Sequence, residues 1–234
     1  MDDPRFAIYF VPPADSALYR FGASFLGYDC YTGEGLGPPA CLGLSAHDRM
    51  ELTRTPRLYG FHATLKAPFH LVPTVTESDL VTEFRRFAAA PRTLATFEPV
   101  IASLGQFVAI VPAATNAAVD LLAADCVAVF DRFRRPPSLA DRCKRLSAGL
   151  SPRQVENLDK WGYPFVFQDF RFHMTLTGSI EADRRAALVE LLEDCFKANC
   201  GDKPLTLMQL ALVRQDAPAT PFRVVGRVAL APSE

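Results

Sequence analysis

The tetrad His-x-Thr-Leu occurs twice in this chain, as His62–Leu65 within RLYGFHATLKAP and as His173–Leu176 within DFRFHMTLTGSI. Side chains alternate across an extended strand, so each copy calls for a strand with two unlike faces. In the first, Gly60, His62, Thr64 and Lys66 share one face, and Tyr59, Phe61, Ala63 and Leu65 take the other. In the second, Arg171, His173, Thr175 and Thr177 oppose Phe170, Phe172, Met174 and Leu176. One face is apolar and suits a core. The other carries imidazole, hydroxyl and cation, and since solvation alone does not call for the same His and Thr twice, it reads as a site.

The repetition reaches beyond the tetrads. FAIYFVPP (6–13) followed by DSALYRFGASFLG matches FVAIVPA (107–113) followed by TNAAVDLLAADCVAVFDRF, each a strand, a proline and a helix. Leu18, Phe21 and Phe25 mark the buried stripe of the first helix; Val119, Leu122, Cys126, Val129 and Phe133 mark that of the second. Another helix follows each tetrad, with Leu80, Phe84 and Phe87 inward in one and Leu188, Leu191, Leu192, Cys195 and Phe196 in the other. Each leads into strands, FEPVIASL in the first copy, and LTLMQLALV then FRVVGRVAL in the second. The expected organisation is one bilobal domain over 1–234, with approximate repeats at 6–104 and 107–231. Two inserts separate them: a loop at 28–56 with little regular structure, whose TGEGLGPP is a surface turn, and helices at about 138–162. Within the second insert Ser151, Pro152 and Gln154 occupy N-cap, N1 and N3 of a capping box.

Composition limits what such a site serves. The 234 residues are 49% hydrophobic with a net charge of -1, and the charged residues are interspersed. A long nucleic acid normally requires a basic footprint, so it is a poor partner, whereas a small anion held by local cations is not excluded. The opening MDDPRFAIYFVPP fits neither a secretory signal nor a transit peptide. No run approaches the ~20 apolar residues of a membrane span. The six cysteines form no C-x-x-C pair, which points to free thiols in a reducing cytoplasm. His47 and His70 lie outside the tetrads and are expected at the surface.

Two imidazoles facing each other across a cleft can act as general base and general acid, and an ordinary His pKa near 6.5 suits both roles. Thr64 and Thr175, two residues along, would donate hydroxyls to non-bridging oxygens of a tetrahedral anion. Lys66 and Arg171 would add fixed positive charge as the transition state develops. Arg171 is also expected to lower the pKa of its neighbour His173, which would make His173 the base. Tyr9, the polar member of an apolar strand, Tyr59 and Trp161 are candidate substrate contacts, with Tyr163 beside Trp161 as a further ring for stacking. Neither tetrad has acidic or Cys companions at metal spacing, so no metal site is expected.

The paired tetrads resemble those of the two-histidine (2H) phosphoesterase superfamily, which includes RNA 2',5'-ligase-like proteins and cyclic nucleotide phosphodiesterases. FGASFLG, YGFHATLKAPF and WGYPFVFQDFRFHMTLTG are similar to an uncharacterised branch labelled as phosphonate metabolism proteins. The resemblance implies an α+β fold with a pseudo-two-fold duplication, two antiparallel sheets with outer helices around a V-shaped cleft. It also implies metal-independent, cofactor-free hydrolysis of a small cyclic phosphodiester, with His62, Thr64, His173 and Thr175 catalytic. The substrate the resemblance implies is a ribose cyclic phosphate or a 2',3'-cyclic nucleotide; an RNA-end activity and a non-catalytic phosphate-binding protein are the alternatives.

Overall fold

The computed structural model describes residues 3–39, 43–147 and 149–233. Strand β1 (Arg5–Phe10) leads through Pro12 and Pro13 to α1 (Ala17–Leu26), which Ser16 caps by accepting from the Tyr19 amide. A short helix, α2 (Ala46–Thr53), precedes β2 (Ala63–His70) and α3 (Glu77–Ala89). The chain continues through β3 (Thr96–Phe97), β4 (Pro99–Leu104), β5 (Phe107–Pro112) and α4 (Ala117–Phe130). Helices α5 (Leu139–Leu146) and α6 (Pro152–Trp161) come before β6 (Met174–Thr175) and α7 (Ala182–Cys200). Strands β7 (Leu205–Thr206), β8 (Gln209–Gln215) and β9 (Arg223–Ala229) complete the order.

Seven strands form one antiparallel sheet in the order β4-β5-β6-β2-β1-β8-β9, and β3 pairs with β7 in a small second sheet. The α+β class therefore stands. In place of two large sheets, however, there is one, joined at its centre by the single registered pair Ala63↔Met174. Helix α4 packs on β2, α7 on β4 and β5, and α3 on β8 and β9. β1 is buried on both faces, with Phe6, Ile8, Tyr9 and Phe10 each at most 1% exposed. The apolar halves of the tetrads enter this core, since Phe61, Ala63, Leu65, Phe172, Met174 and Leu176 are all buried.

Three local expectations need correction. The second tetrad makes only a two-residue strand. Beyond it the ladder breaks, because the amides of Leu176 and Thr177 both donate to the Val108 carbonyl, at 3.0 and 3.2 Å. Within the loop expected at 28–56 lies α2, whose start is set by Ser45: its hydroxyl accepts from the Asp48 amide and donates to the Asp48 carboxylate. That Ser-x-x-Asp signal is legible in the sequence. Finally, Cys195 is disulfide-bonded, whereas Cys30, Cys126, Cys143 and Cys200 are free; the expectation for Cys41 lies outside the described residues.

The approach to His62 is built by glycines. Gly22 of α1 lies against the Phe61 ring, and a Cβ there would fall 2.3 Å from it. Gly60 has φ 72° and ψ 176°, a conformation almost confined to glycine. A Cβ on Gly60 would also sit 2.7 Å from that of Cys30.

Candidate functional site

His62 and His173 each stand one residue before a strand, and the residues that follow them, Ala63 and Met174, are the pair that joins β2 to β6. Continuing that antiparallel register by one step in each direction sets His62 across from Thr175 and Thr64 across from His173. Side-chain alternation then puts all four on the face opposite Ala63 and Met174. The imidazoles occupy one diagonal of this square and the hydroxyls the other. All four line a cleft of about 610 Å³.

Each imidazole is fixed the same way. His62 Nδ1 lies 2.9 Å from the Gly60 carbonyl, and His173 Nδ1 lies 2.7 Å from the Arg171 carbonyl, in both cases two residues back. A carbonyl only accepts, so each Nδ1 carries hydrogen and each neutral ring keeps its lone pair on Nε2. The Thr64 hydroxyl donates to that lone pair on His62 over 3.0 Å. Burial pushes the His62 imidazole down to about 4, a charge on His173 pushes the same way, and the Gly60 hydrogen bond opposes. His173 is also lowered by burial, opposed by the Arg171 carbonyl. Neither is the ordinary imidazole expected from sequence, and the Arg171 guanidinium is not the cause.

Tyr9 stacks on His62, with ring centroids 3.7 Å apart and planes at 20°. Its ring is fully buried in the cleft wall and its hydroxyl has no hydrogen-bond partner. An unsatisfied buried hydroxyl costs about 1–3 kcal/mol. Tyr59 also lines the cleft, tilted toward His62 and stacked on Phe222.

Lys66 is not in the cleft. Between Ile8 and Tyr9 of β1 the partner residue steps from Lys66 to Thr64, a bulge that breaks the alternation. Ala67 therefore lines the cleft with Thr64. Lys66 turns to the other face, where it is 3% exposed and donates to Asp131 at 2.8 Å and to the Val127 carbonyl at 3.1 Å. Burial lowers its pKa, and Asp131 opposes. Arg171 is likewise absent from the main cleft and lines an adjoining cavity of about 470 Å³, which shares Thr64, Phe107, Tyr163 and His173 with it. Trp161 packs edge-on against Phe167 under Lys160 and lines neither cavity. Tyr163, next but one, lines both. His47 is exposed, and His70 pairs with Asp3 at 3.2 Å.

The cations that do reach the cleft are Arg5, at the start of β1, and Arg145, in the last turn of α5 with its guanidinium 5.1 Å above the Tyr163 ring. No motif marks either. Among the described residues no Asp or Glu lines the cleft, and no three His, Cys, Asp or Glu side chains converge as a metal site would require. No helix among them is long and apolar enough to cross a membrane.

The chain is 35% identical over 221 residues to the ribose 1,5-bisphosphate phosphokinase PhnN of Janthinobacterium sp. (strain Marseille), covering 93% of this chain and 49% of that protein. A protein of the same name from Laribacter hongkongensis (strain HLHK9) is 35% identical over 181 residues, 76% of this chain and 40% of its own length. The chain thus spans half or less of the curated relatives it matches. A conserved protein of unknown function from Agrobacterium tumefaciens str. C58 aligns with a TM-score of 0.47 and 14% identity, covering 96% of this chain and 85% of that one. The model of one family matches residues 64–223, taking in Thr64, His173 and Thr175. By that match the chain belongs to the family described as Protein of unknown function (DUF1045).

Proposed function

We propose that this protein is a 2H-type phosphoesterase that opens a small cyclic phosphodiester to a phosphomonoester without a metal. The observation that carries the reading is the matched pair of Nδ1-to-carbonyl clamps, which turn both Nε2 atoms into one cleft beside two threonine hydroxyls, one of which, Thr64, holds the His62 Nε2 until substrate takes its place. A phosphate seated over the Ala63↔Met174 pair meets an imidazole at each end of one diagonal. His62, the more strongly lowered by burial and by its neighbour, takes a proton from the attacking water at Nε2. His173, entering the reaction as imidazolium, gives its Nε2 proton to the leaving ring oxygen and returns to the neutral ring with hydrogen on Nδ1. The Thr175 hydroxyl donates to one non-bridging oxygen, and the Thr64 hydroxyl turns from His62 Nε2 to donate to the other. The acid–base assignment thus reverses the one drawn from Arg171.

The strand order supports an internal duplication. Read outward from the β6/β2 junction, each half places its tetrad strand, its opening strand and then the third strand of the other half, β4 beside β5 and β8 beside β1. The substrate class we favour is a ribose cyclic phosphate. The relatives are named for a phosphorylated ribose, and half of their length or less matches this chain. The sequence has no G-x-x-x-x-G-K-[ST] phosphate loop, so a kinase step built on that loop is not assigned to this chain.

Phosphorus NMR of chelator-treated protein with ribose 1,2-cyclic phosphate and with 2',3'-cyclic nucleotides tests the reading. Turnover should persist in chelator. Loss of turnover that a divalent ion restores would refute the metal-free mechanism, and binding without turnover would mark a phosphate-binding protein.

A further inference from the structure

The two cleft arginines are held by neutral partners and not by carboxylates. Arg86, Arg132, Arg134, Arg142, Arg153 and Arg214 each pair with a carboxylate. Arg5 and Arg145 form no such pair among the described residues. Arg5 donates only to the neutral Gln215 amide oxygen. Arg145 sits on a helix with no fully buried residue, so core packing does not account for its position. Its fixed contact is the face of Tyr163, a ring in the cleft wall.

Arg5 and Tyr9 flank one ring, the guanidinium 5.5 Å and the phenol ring 6.0 Å from the Phe222 centroid, and Arg145 covers Tyr163 in the wall of the same cleft. The Tyr9 hydroxyl is buried there without a partner. Two guanidinium groups and an unused phenol in a wall free of carboxylates describe an anion receptor. The cyclic phosphate is already served by the two His and two Thr.

We propose that Arg145, Arg5 and the Tyr9 hydroxyl form a second anion subsite, and that the substrate carries a phosphomonoester separate from its cyclic phosphate. This deepens the phosphoesterase reading and rests on it for the cyclic end. Opening such a sugar yields a bisphosphate, and the phosphomonoester at the far end provides binding that fixes the scissile group between the imidazoles.

The kinetic test compares ribose 1,2-cyclic phosphate with its 5-phosphate. The 5-phosphate should be preferred in kcat/KM by about 10-fold or more, chiefly through KM, as charge-assisted hydrogen bonds provide. Arg145→Gln should reduce that preference ratio about tenfold, with partial recovery in Arg145→Lys and a smaller reduction in Tyr9→Phe. Equal kcat/KM for the two sugars, or a ratio unmoved by Arg145→Gln, would overturn the subsite and leave the hydrolase standing. Calorimetric titration with ribose 5-phosphate requires no turnover. Binding that disappears in Arg145→Gln supports the subsite even if no cyclic phosphate is ever opened, and binding equal in both proteins refutes it.

Discussion

The two tetrads reach the same imidazole geometry on unequal scaffolds. His62 precedes an eight-residue strand in the middle of the sheet, next to β1, while His173 precedes a two-residue strand whose ladder breaks at once. Gly60 is needed two residues before His62, where the backbone takes φ 72°; at the same place before His173 stands Arg171, with no such strain. What survives in both halves is a ring hydrogen bond to the carbonyl two residues back and a Thr two residues ahead. The paired features are those that aim Nε2, and the unpaired ones concern how each half is packed.

If that comparison is right, the two imidazoles contribute comparably, and this is the largest effect expected. His62→Ala and His173→Ala should each lower kcat by about 10²–10⁴-fold. A variant of either that keeps near-normal turnover would break the symmetry of roles.

Lys66 sharpens the comparison from the structural side. Its ammonium is buried against Asp131, which also keeps Arg134 as a partner, so Lys66→Ala should cost roughly 1–3 kcal/mol of stability, read by denaturant unfolding. A substrate role would instead raise KM while leaving the unfolding midpoint in place.

Gly60 isolates the strained half. Gly60→Ala adds a Cβ against Cys30 in a conformation that resists one, shifts the carbonyl that holds His62, and should lower kcat by roughly 10²-fold, the cost of a misplacement of about 1 Å. Arg171→Ala, which keeps its carbonyl, should change kcat far less. Equal losses would show that the two clamps do not differ as the backbone indicates.

The smallest effects are electrostatic. The folded-state pKa of His62, about 4, lies below the ordinary 6.5, so the unfolded chain binds the proton first as pH falls. Stability present above pH 6.5 is therefore lost on going down toward 4, by about 2 kcal/mol at pH 5 and less where the ring edge meets solvent. His62→Gln should flatten that part of a Tm-against-pH curve. Both imidazoles being lowered, kcat/KM should peak on the acid side of 6.5. NMR titration of Arg171→Gln should leave the His173 pKa in place, and an upward shift would restore the guanidinium as its cause.

Much of the fold was legible because alternation and caps are local. Phe61, Ala63 and Leu65 face the core as period two requires, and Leu80, Phe84 and Phe87 as period 3.6 requires. The capping box at Ser151 and Gln154 starts α6. The missed helix α2 obeys the same local code at Ser45 and Asp48.

Alternation could bring His62, Thr64, His173 and Thr175 to one kind of face, because a strand repeats every two residues whatever surrounds it. It could not foresee the bulge that turns Lys66 away, because a bulge is fixed by the partner strand β1. Nor could it find Arg5 and Arg145, which reach the cleft from elements far apart in the chain. The lowered imidazoles have the same origin, since desolvation depends on what the rest of the chain stacks around a ring. The residue types of the site are a property of the sequence; its charge and its walls come from packing between segments that no local pattern connects.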